Sequence, residues 1–373
     1  MIMTPPKKPL RGRVASLSIR GFRSLACLDT LPLPPLAVLI GANGSGKSNL
    51  IRFFELLGWM LRSQHLQEFI ERQGGADDQL FMGAKRTPRL EAELGIATEA
   101  GLNEYRFALT PAAGDRLVLV EEAYRFSRLD RAGRNTWTEL PMPAREARLV
   151  EQAGEDRTAS VIVRLLRNCV TYQFHDTSAG AAIKRPWDVT DAAYLRSDGG
   201  NLSAVLYRLR EHEPKRYRLV VAQIQRLLPA FEDFELTPVY DKVALRWRVR
   251  GSDKTFGAHL TSDGSLRLFC LMTLVNLPED MLPDVVLFDE PELGLHPQAI
   301  GLLAAMIKCL AQDRQVVLAT QSPLLVDCFA LENMLVAELD CTGATQVRTL
   351  AREAYQRWLD DHNDKPRPSG WGL

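Results

Sequence analysis

Gly41-Ala-Asn-Gly-Ser-Gly-Lys-Ser48 follows the apolar run Leu36–Ile40 and precedes a segment, 48–57, whose apolar residues recur at helical spacing. The order is therefore strand, glycine-rich turn and helix, with the helix predicted to begin near Lys47. Glycines let a turn point backbone N–H groups inward around an anion, in conformations that side chains block. A helix that starts there adds the positive end of its dipole. The pattern G-x-x-x-x-G-K-S thus predicts a phosphate-binding loop formed by Asn43, Gly44, Ser45, Gly46, Lys47, Ser48 and Asn49. Lys47 is expected to reach the β- and γ-phosphates of a nucleoside triphosphate, and Ser48 to ligate magnesium. The bland alternative is an accidental glycine-rich turn, and the flanking strand and helix argue against it.

Some 240 residues downstream, Val285-Val-Leu-Phe-Asp289-Glu290-Pro291 reads as a buried strand that ends in two acids. A carboxylate at the C-terminal edge of a parallel strand faces the ligand crevice of such a sheet. Asp289 is expected to hold the magnesium shell, and Glu290 to polarise an attacking water. A third segment, Thr261-Ser262-Asp263-Gly264-Ser265, opens an apolar helix. Small hydroxyl residues and glycine at a helix start form either a plain N-cap or an anion site.

The rest of the 373-residue chain sets the frame. That length favours two domains, or one domain with a large insertion. Lys+Arg and Asp+Glu both number 46, so net charge gives no argument for nucleic acid or membrane. Six cysteines without a C-x-x-C pair read as reduced thiols, several in apolar settings. His65, His175, His212, His259 and His362 show no metal-ligand spacing. The basic N-terminus lacks an apolar continuation, and the run Leu266–Leu277 is too short for a bilayer. A soluble cytoplasmic protein without a membrane partner is expected. Strands are predicted from Val14 to Ile19 and between about 89 and 126, with surface loops over 127–160. Helices are predicted within 200–230 and over 266–277 and 298–312. A hairpin is expected within 233–259, a buried strand over 315–319 and a short helix over 350–360. Buried strands alternating with helices indicate a mainly parallel α/β sheet. The Arg-rich stretches 128–134, 215–218 and 246–250 are either solvated faces or contacts to nucleic-acid phosphates.

Together the opening LSIRGFRSL, GANGSGKSNL, LTSDGSLRLF, VVLFDEPELGLHP and ATQSPLLVD resemble the ABC ATPase superfamily in its RecF- and SMC-like branch. They are similar above all to soluble bacterial ATPases that share an AAA core with OLD-family proteins. The resemblance spans the first 60 residues and roughly 195–360. It implies an α/β P-loop fold with an ABC-type head, a mixed sheet and an inserted helical and β-hairpin lobe. The implied division is 1–125 for the N-terminal part of the ATPase lobe, 126–280 for the insertion, and 281–373 for the C-terminal part. By the same resemblance, Ser262, Asp263, Gly264 and Ser265 form the signature that completes the ATP site of an opposite subunit. That implies a head-to-tail homodimer with ATP and Mg2+ at its interface. Gly294 to His296 take the D-loop place, Gln321 the switch place near the γ-phosphate, and Arg23 a place at the nucleotide phosphates. Lys47, Glu290 and Gln321 become the catalytic set. Gln79 and the stretch Ser197–Leu202 are the candidates for the Q-loop.

The sequence departs from the pattern at two places. Asp263 stands where transporters carry glycine, and Gln321 replaces the usual histidine. Glutamine orients by hydrogen bonds but carries no charge, so slow turnover is expected. Neither the Toprim domain of OLD-family nucleases nor the long coiled coil of SMC proteins is expected from this sequence. DNA and an effector protein encoded nearby are therefore the expected partners, the latter supplying any chemistry beyond ATP hydrolysis. The roles implied are DNA repair or maintenance, or antiviral defence.

Overall fold

The computed structural model describes residues 12–63, 65–128 and 135–350. Two six-stranded sheets carry the molecule. The first is antiparallel throughout, in the order β2 (Leu25–Pro32), β1 (Arg13–Phe22), β4 (Leu90–Thr98), β5 (Gly101–Ala112), β6 (Arg116–Arg128), β7 (Thr138–Glu139). The second is mixed, in the order β17 (Thr345–Thr349), β16 (Met334–Leu339), β3 (Leu36–Ile40), β15 (Gln315–Thr320), β14 (Val285–Asp289), β8 (Cys169–Tyr172). Only β17 runs antiparallel to its neighbour in that sheet.

The apolar runs of β3, β14 and β15 are explained by burial on both faces. Ala37, Leu39, Val285, Leu287, Val317 and Ala319 face one core. Their alternates Leu36, Val38, Val286, Phe288, Val316 and Leu318 face another. The first core lies between the two sheets and is filled by α1 (Lys47–Gly58) and α5 (Arg157–Arg167). Phe53 of α1 stacks there against Phe107 at 5.7 to 6.4 Å from its aromatic neighbours. Small helices α2 (Leu66–Arg72), α3 (Ala76–Gln79) and α4 (Leu149–Gln152) close its rim. The second core is covered by α6 (Leu202–His212), α7 (Pro214–Leu227), α8 (Asp263–Leu274) and α9 (Pro297–Asp313). Strands β10 (Phe231–Phe234), β12 (Arg246–Val249) and β13 (Thr255–Gly257) form a third sheet over it, and β9 (Trp187–Asp188) pairs with β11 (Lys242–Val243). The short α10 (Pro323–Val326) follows β15.

The expected α/β architecture with a mixed sheet is present. Two expectations change. Residues 127–160 do not form only surface loops: β6 extends to Arg128, α4 spans Leu149–Gln152, and α5 begins at Arg157. Asp156 caps α5 by accepting from Ala159 N at 2.8 Å, and Ile162, Val163, Leu165 and Leu166 bury its apolar face in the first core. The segment 149–172, grouped above with the insertion, therefore gives α5 and β8 to the ATPase body. The expected helix at 350–360 and most of the Arg-rich stretch 128–134 lie outside the described residues.

One buried side chain fastens the two sheets together. Gln315, fully buried at the start of β15, accepts from Val14 N at 2.9 Å and donates to Val14 O at 2.8 Å. It closes both backbone groups of a β1 residue 301 positions away. Gln315→Leu leaves that buried pair unmet, so it should lower unfolding free energy by about 1–3 kcal/mol in urea denaturation.

Candidate functional site

Register alone brings the motifs to one edge. Ile40 pairs with Thr320 and Asp289 with Ala319 in the parallel sheet. The phosphate loop after β3, Gln321 after β15 and Glu290 after β14 thus leave the sheet side by side at its C-terminal end. There Ser48 Oγ donates to Asp289 Oδ1 at 3.3 Å across 241 positions of sequence. Lys47 is nearly buried, and its Nζ donates to Gly41 O at 2.7 Å and Ala42 O at 2.9 Å. The lysine thereby occupies the mouth of its own loop. The N–H groups of Gly44, Gly46, Lys47 and Ser48 have no acceptor among the described residues. The buried Ser45 hydroxyl also lacks a partner among them. Unspent donors around a lysine at a helix start suit a polyanion.

The acids differ in setting. Burial pushes the Asp289 carboxyl above the usual carboxylate range, and the Ser48 hydrogen bond and the charges of His175, Arg52 and Lys47 oppose it. Glu290 sits at φ 47°, a left-handed conformation unusual outside glycine, held by its N–H donating to Ala319 O at 2.9 Å. Gln321 is exposed at the end of β15. The oxygen ligands Ser48 Oγ and Asp289 Oδ1 fit a hard divalent cation such as Mg2+, which is held by one or two protein oxygens and substrate phosphates. Among the described residues no cluster of three or more His, Cys, Asp or Glu is placed to hold a metal ion.

Three further residues complete the site, and the sequence reading had not picked any of them for it. Gln173, just past β8, donates from Nε2 to Asp289 Oδ2 at 3.4 Å. His175 Nε2 lies 3.1 Å from Asp289 O, an acceptor only, so Nε2 carries the proton. Glu292 is buried, with its carboxylate taking the Thr320 hydroxyl; burial raises its pKa. Thr320 Oγ1 in turn accepts from Ser322 N at 3.0 Å, fixing the turn around Gln321. Neither Q-loop candidate touches Asp289. Gln79 is fully buried, and its Oε1 accepts from Arg23 Nε at 3.1 Å and Nη2 at 3.0 Å. Ser197 accepts from Gln173 N at 3.0 Å and so backs the residue that does reach Asp289. The signal was the run Cys169–Tyr172 followed by a polar residue, the same form as Val285–Asp289.

Arg23, at φ 48°, also donates to Gln73 Oε1 at 3.0 Å, which Arg52 shares at 2.7 Å. Burial, followed by the Arg52 charge, lowers its pKa. Asn49 spends its amide on Ser24 Oγ at 2.7 Å, a supporting position rather than an open one.

The Ser262–Ser265 turn stands apart from this cluster. Ser262 caps α8, its Oγ accepting from Ser265 N at 3.2 Å. It shares a shallow cavity of about 190 Å³ with Gly294 and His296. A Cβ on Gly264 would lie 2.6 Å from Gly294 O, so the two segments touch through backbone. Arg267, one turn into α8, donates to Phe174 O at 3.1 Å and Leu293 O at 2.8 Å. The Ser262–Ser265 turn is therefore linked to the segments that follow β8 and β14.

The family profile described as "AAA domain, putative AbiEii toxin, Type IV TA system" matches residues 36–327. The chain belongs to this family. The DNA replication and repair protein RecF of Anaeromyxobacter sp. (strain Fw109-5) is 33% identical over 153 residues, which are 36% of this chain and 41% of that protein. The chromosome partition protein Smc of Mycobacterium tuberculosis is 34% identical over 86 residues, 22% of this chain and 7% of that protein. The matches thus span less than half the length of these relatives. An Smc head bound to the C-terminal winged-helix domain of ScpA superposes with a TM-score of 0.57 at 14% identity, covering 92% of this chain and 99% of that one. The Smc head derived from Pyrococcus furiosus gives 0.56 at 15% identity, covering 95% and 100%. The fold is that of an ABC-type ATPase head of the RecF- and SMC-like branch. Among the described residues no helix is long and apolar enough to cross a membrane.

Asp289 gives a test of the site's electrostatics. Its raised pKa means that its ionisation opposes folding: the contribution is favourable below the ordinary carboxylate pKa and is lost as pH rises through the raised one. Asp289→Asn should therefore raise the Tm of the nucleotide-free protein, and the gain should grow as pH rises from the ordinary carboxylate pKa of about 4 through the raised one. Thermal unfolding across that range measures it.

Proposed function

We propose that this chain is a Mg2+-dependent ATPase that dimerises head to tail around ATP. The observation that carries the reading is the Ser48–Asp289 contact, which joins the glycine-rich loop to the acidic strand end. On this reading Lys47 exchanges the carbonyls of Gly41 and Ala42 for phosphate oxygens, and the free N–H groups of the loop bind the same phosphates. Ser48 and Asp289, with Gln173 beside them, hold the cation, which when bound neutralises charge on the phosphates. Glu290 takes the proton of the attacking water, its strained backbone fixing the carboxylate at the strand end. Gln321 orients the water or the γ-phosphate by hydrogen bonding. Arg23 approaches the phosphates from the β1–β2 turn.

The exposure of Ser262 and Asp263, away from their own phosphate loop, supports a role on a second subunit. Two nucleotides would then lie between two copies, each loop facing the partner's signature turn. A ligand that binds the closed pair better than the separate heads supplies the free energy of closure. RecF is described as a replication and repair protein and Smc as a chromosome partition protein, which supports a role on DNA. The family description, which mentions a toxin system, supports a second reading: an ATP-dependent scaffold that restrains a separate effector in defence, with little turnover.

Light scattering with MgATP tests the closure. Glu290→Gln should trap a dimer that wild type forms only transiently, and a monomer under every condition would overturn the dimer reading. Steady-state turnover tests the switch. Gln321→His should raise the ATPase rate, and an unchanged or lower rate would show that glutamine is not what limits it.

A further inference from the structure

A second element, formed late in the chain, holds the phosphate loop from behind. Strand β17 begins at Thr345, which is fully buried. Its Oγ1 donates to Ser45 O at 2.9 Å, across 300 positions of sequence. The same oxygen lies 2.7 Å from Ser24 Oγ, and Ser24 Oγ accepts from Asn49 Nδ2 at 2.7 Å. Both ends of this chain fix its direction: an amide NH2 only donates, and a carbonyl only accepts. The protons therefore run from Asn49 to Ser24, from Ser24 to Thr345, and from Thr345 to the Ser45 carbonyl. Aligned hydroxyls polarise one another and strengthen the final bond.

The consequence lies in the peptide plane. In a trans peptide the C=O and the following N–H point in opposite directions. The Ser45 carbonyl is turned onto Thr345, so the Gly46 N–H points away from β17. That N–H has no acceptor among the described residues. Gly46 itself has φ 93°, and a Cβ on it would lie 1.9 Å from Thr345 Oγ1 and 2.7 Å from Ser24 Oγ. The hydroxyl thus fills the space that a side chain at position 46 would need.

The hydroxyl is itself held firmly. Thr345 N donates to Ser24 O at 2.7 Å. The turn before it is fastened by Asp340, which accepts from Thr342 Oγ1 at 2.6 Å, Thr342 N at 2.8 Å and Ala344 N at 3.1 Å. Those bonds hold the Asp340 carboxyl down to about 2, below the usual carboxylate range.

We propose that Thr345, acting through Ser24 and Asn49, is a positioning residue that presents the Gly46 N–H to a phosphate oxygen of the bound triphosphate. The inference rests on the ATP-site reading above. It assigns the β16–β17 hairpin a direct part in nucleotide affinity.

Calorimetry with MgATP, beside steady-state kinetics, tests it. Thr345→Val keeps the shape and removes the hydroxyl; it should weaken MgATP binding about tenfold, the scale of one charge-assisted hydrogen bond. KM should rise with it and kcat should change less. Thr345→Ser restores the donor and should bind within about twofold of wild type. Ser24→Ala, at a half-buried position, cuts the relay one step earlier and should weaken binding about threefold. It decides the matter if Thr345→Val fails to fold. Wild-type affinity in both Thr345→Val and Ser24→Ala would overturn the inference. So would equal losses in Thr345→Val and Thr345→Ser, which would mark a packing effect. Absence of MgATP binding by wild type would instead overturn the ATP-site reading, a separate outcome.

Discussion

The contact between Ser48 and Asp289 depends on a single constraint: β3 and β14 are both hydrogen-bonded to β15, in parallel and in fixed register. A slip of one residue in either pairing would turn every side chain of that strand to the opposite face. The two cores forbid such a slip. Even-numbered residues of β3 face one core and odd-numbered residues the other, and β14 and β15 are likewise divided. Hydrophobic burial on both faces thus becomes positional accuracy at the sheet's edge. The polar chemistry sits where the apolar pattern ends, at the first residues that no longer need to be buried.

Charge is handled at that edge by a small set of neutral and backbone groups. Lys47 rests on two carbonyls, Arg23 and Arg52 share one glutamine oxygen, and Arg267 meets carbonyls of two turns. Among the described residues none of these side chains is ion-paired to a carboxylate. Asp289 and Glu292 are the counterpart, acids that burial makes costly to ionise. A site tuned in this way trades stability without ligand for readiness to bind one.

Much of this was legible in the sequence, for a physical reason. β3, β14 and β15 are short, continuous and apolar, and the residues that end them are glycine, acid and amide. Such boundaries survive in a one-dimensional string. α5 was harder to see because arginines alternate with its buried Ile162, Val163, Leu165 and Leu166, so a polar composition hid a helical period. β8 followed it unseen, and Gln173 with it. Glu292 and Thr345 act through partners far along the chain, or through burial, and no local pattern marks either. Gln79 illustrates the converse. It has the right residue type near the site, yet its side chain serves Arg23.

The placement of β3 has a consequence for how the molecule is made. Its neighbours in the sheet are β15 and β16. Both are translated roughly 275 residues or more after it, if the positions 36–40 and 315–339 are compared. During synthesis the glycine-rich turn therefore leaves the ribosome on a strand without a partner. Contacts so distant in sequence close slowly. The nascent chain has to keep this apolar segment out of other pairings until its sheet can assemble around it, a requirement set by the order of the strands and not by their composition.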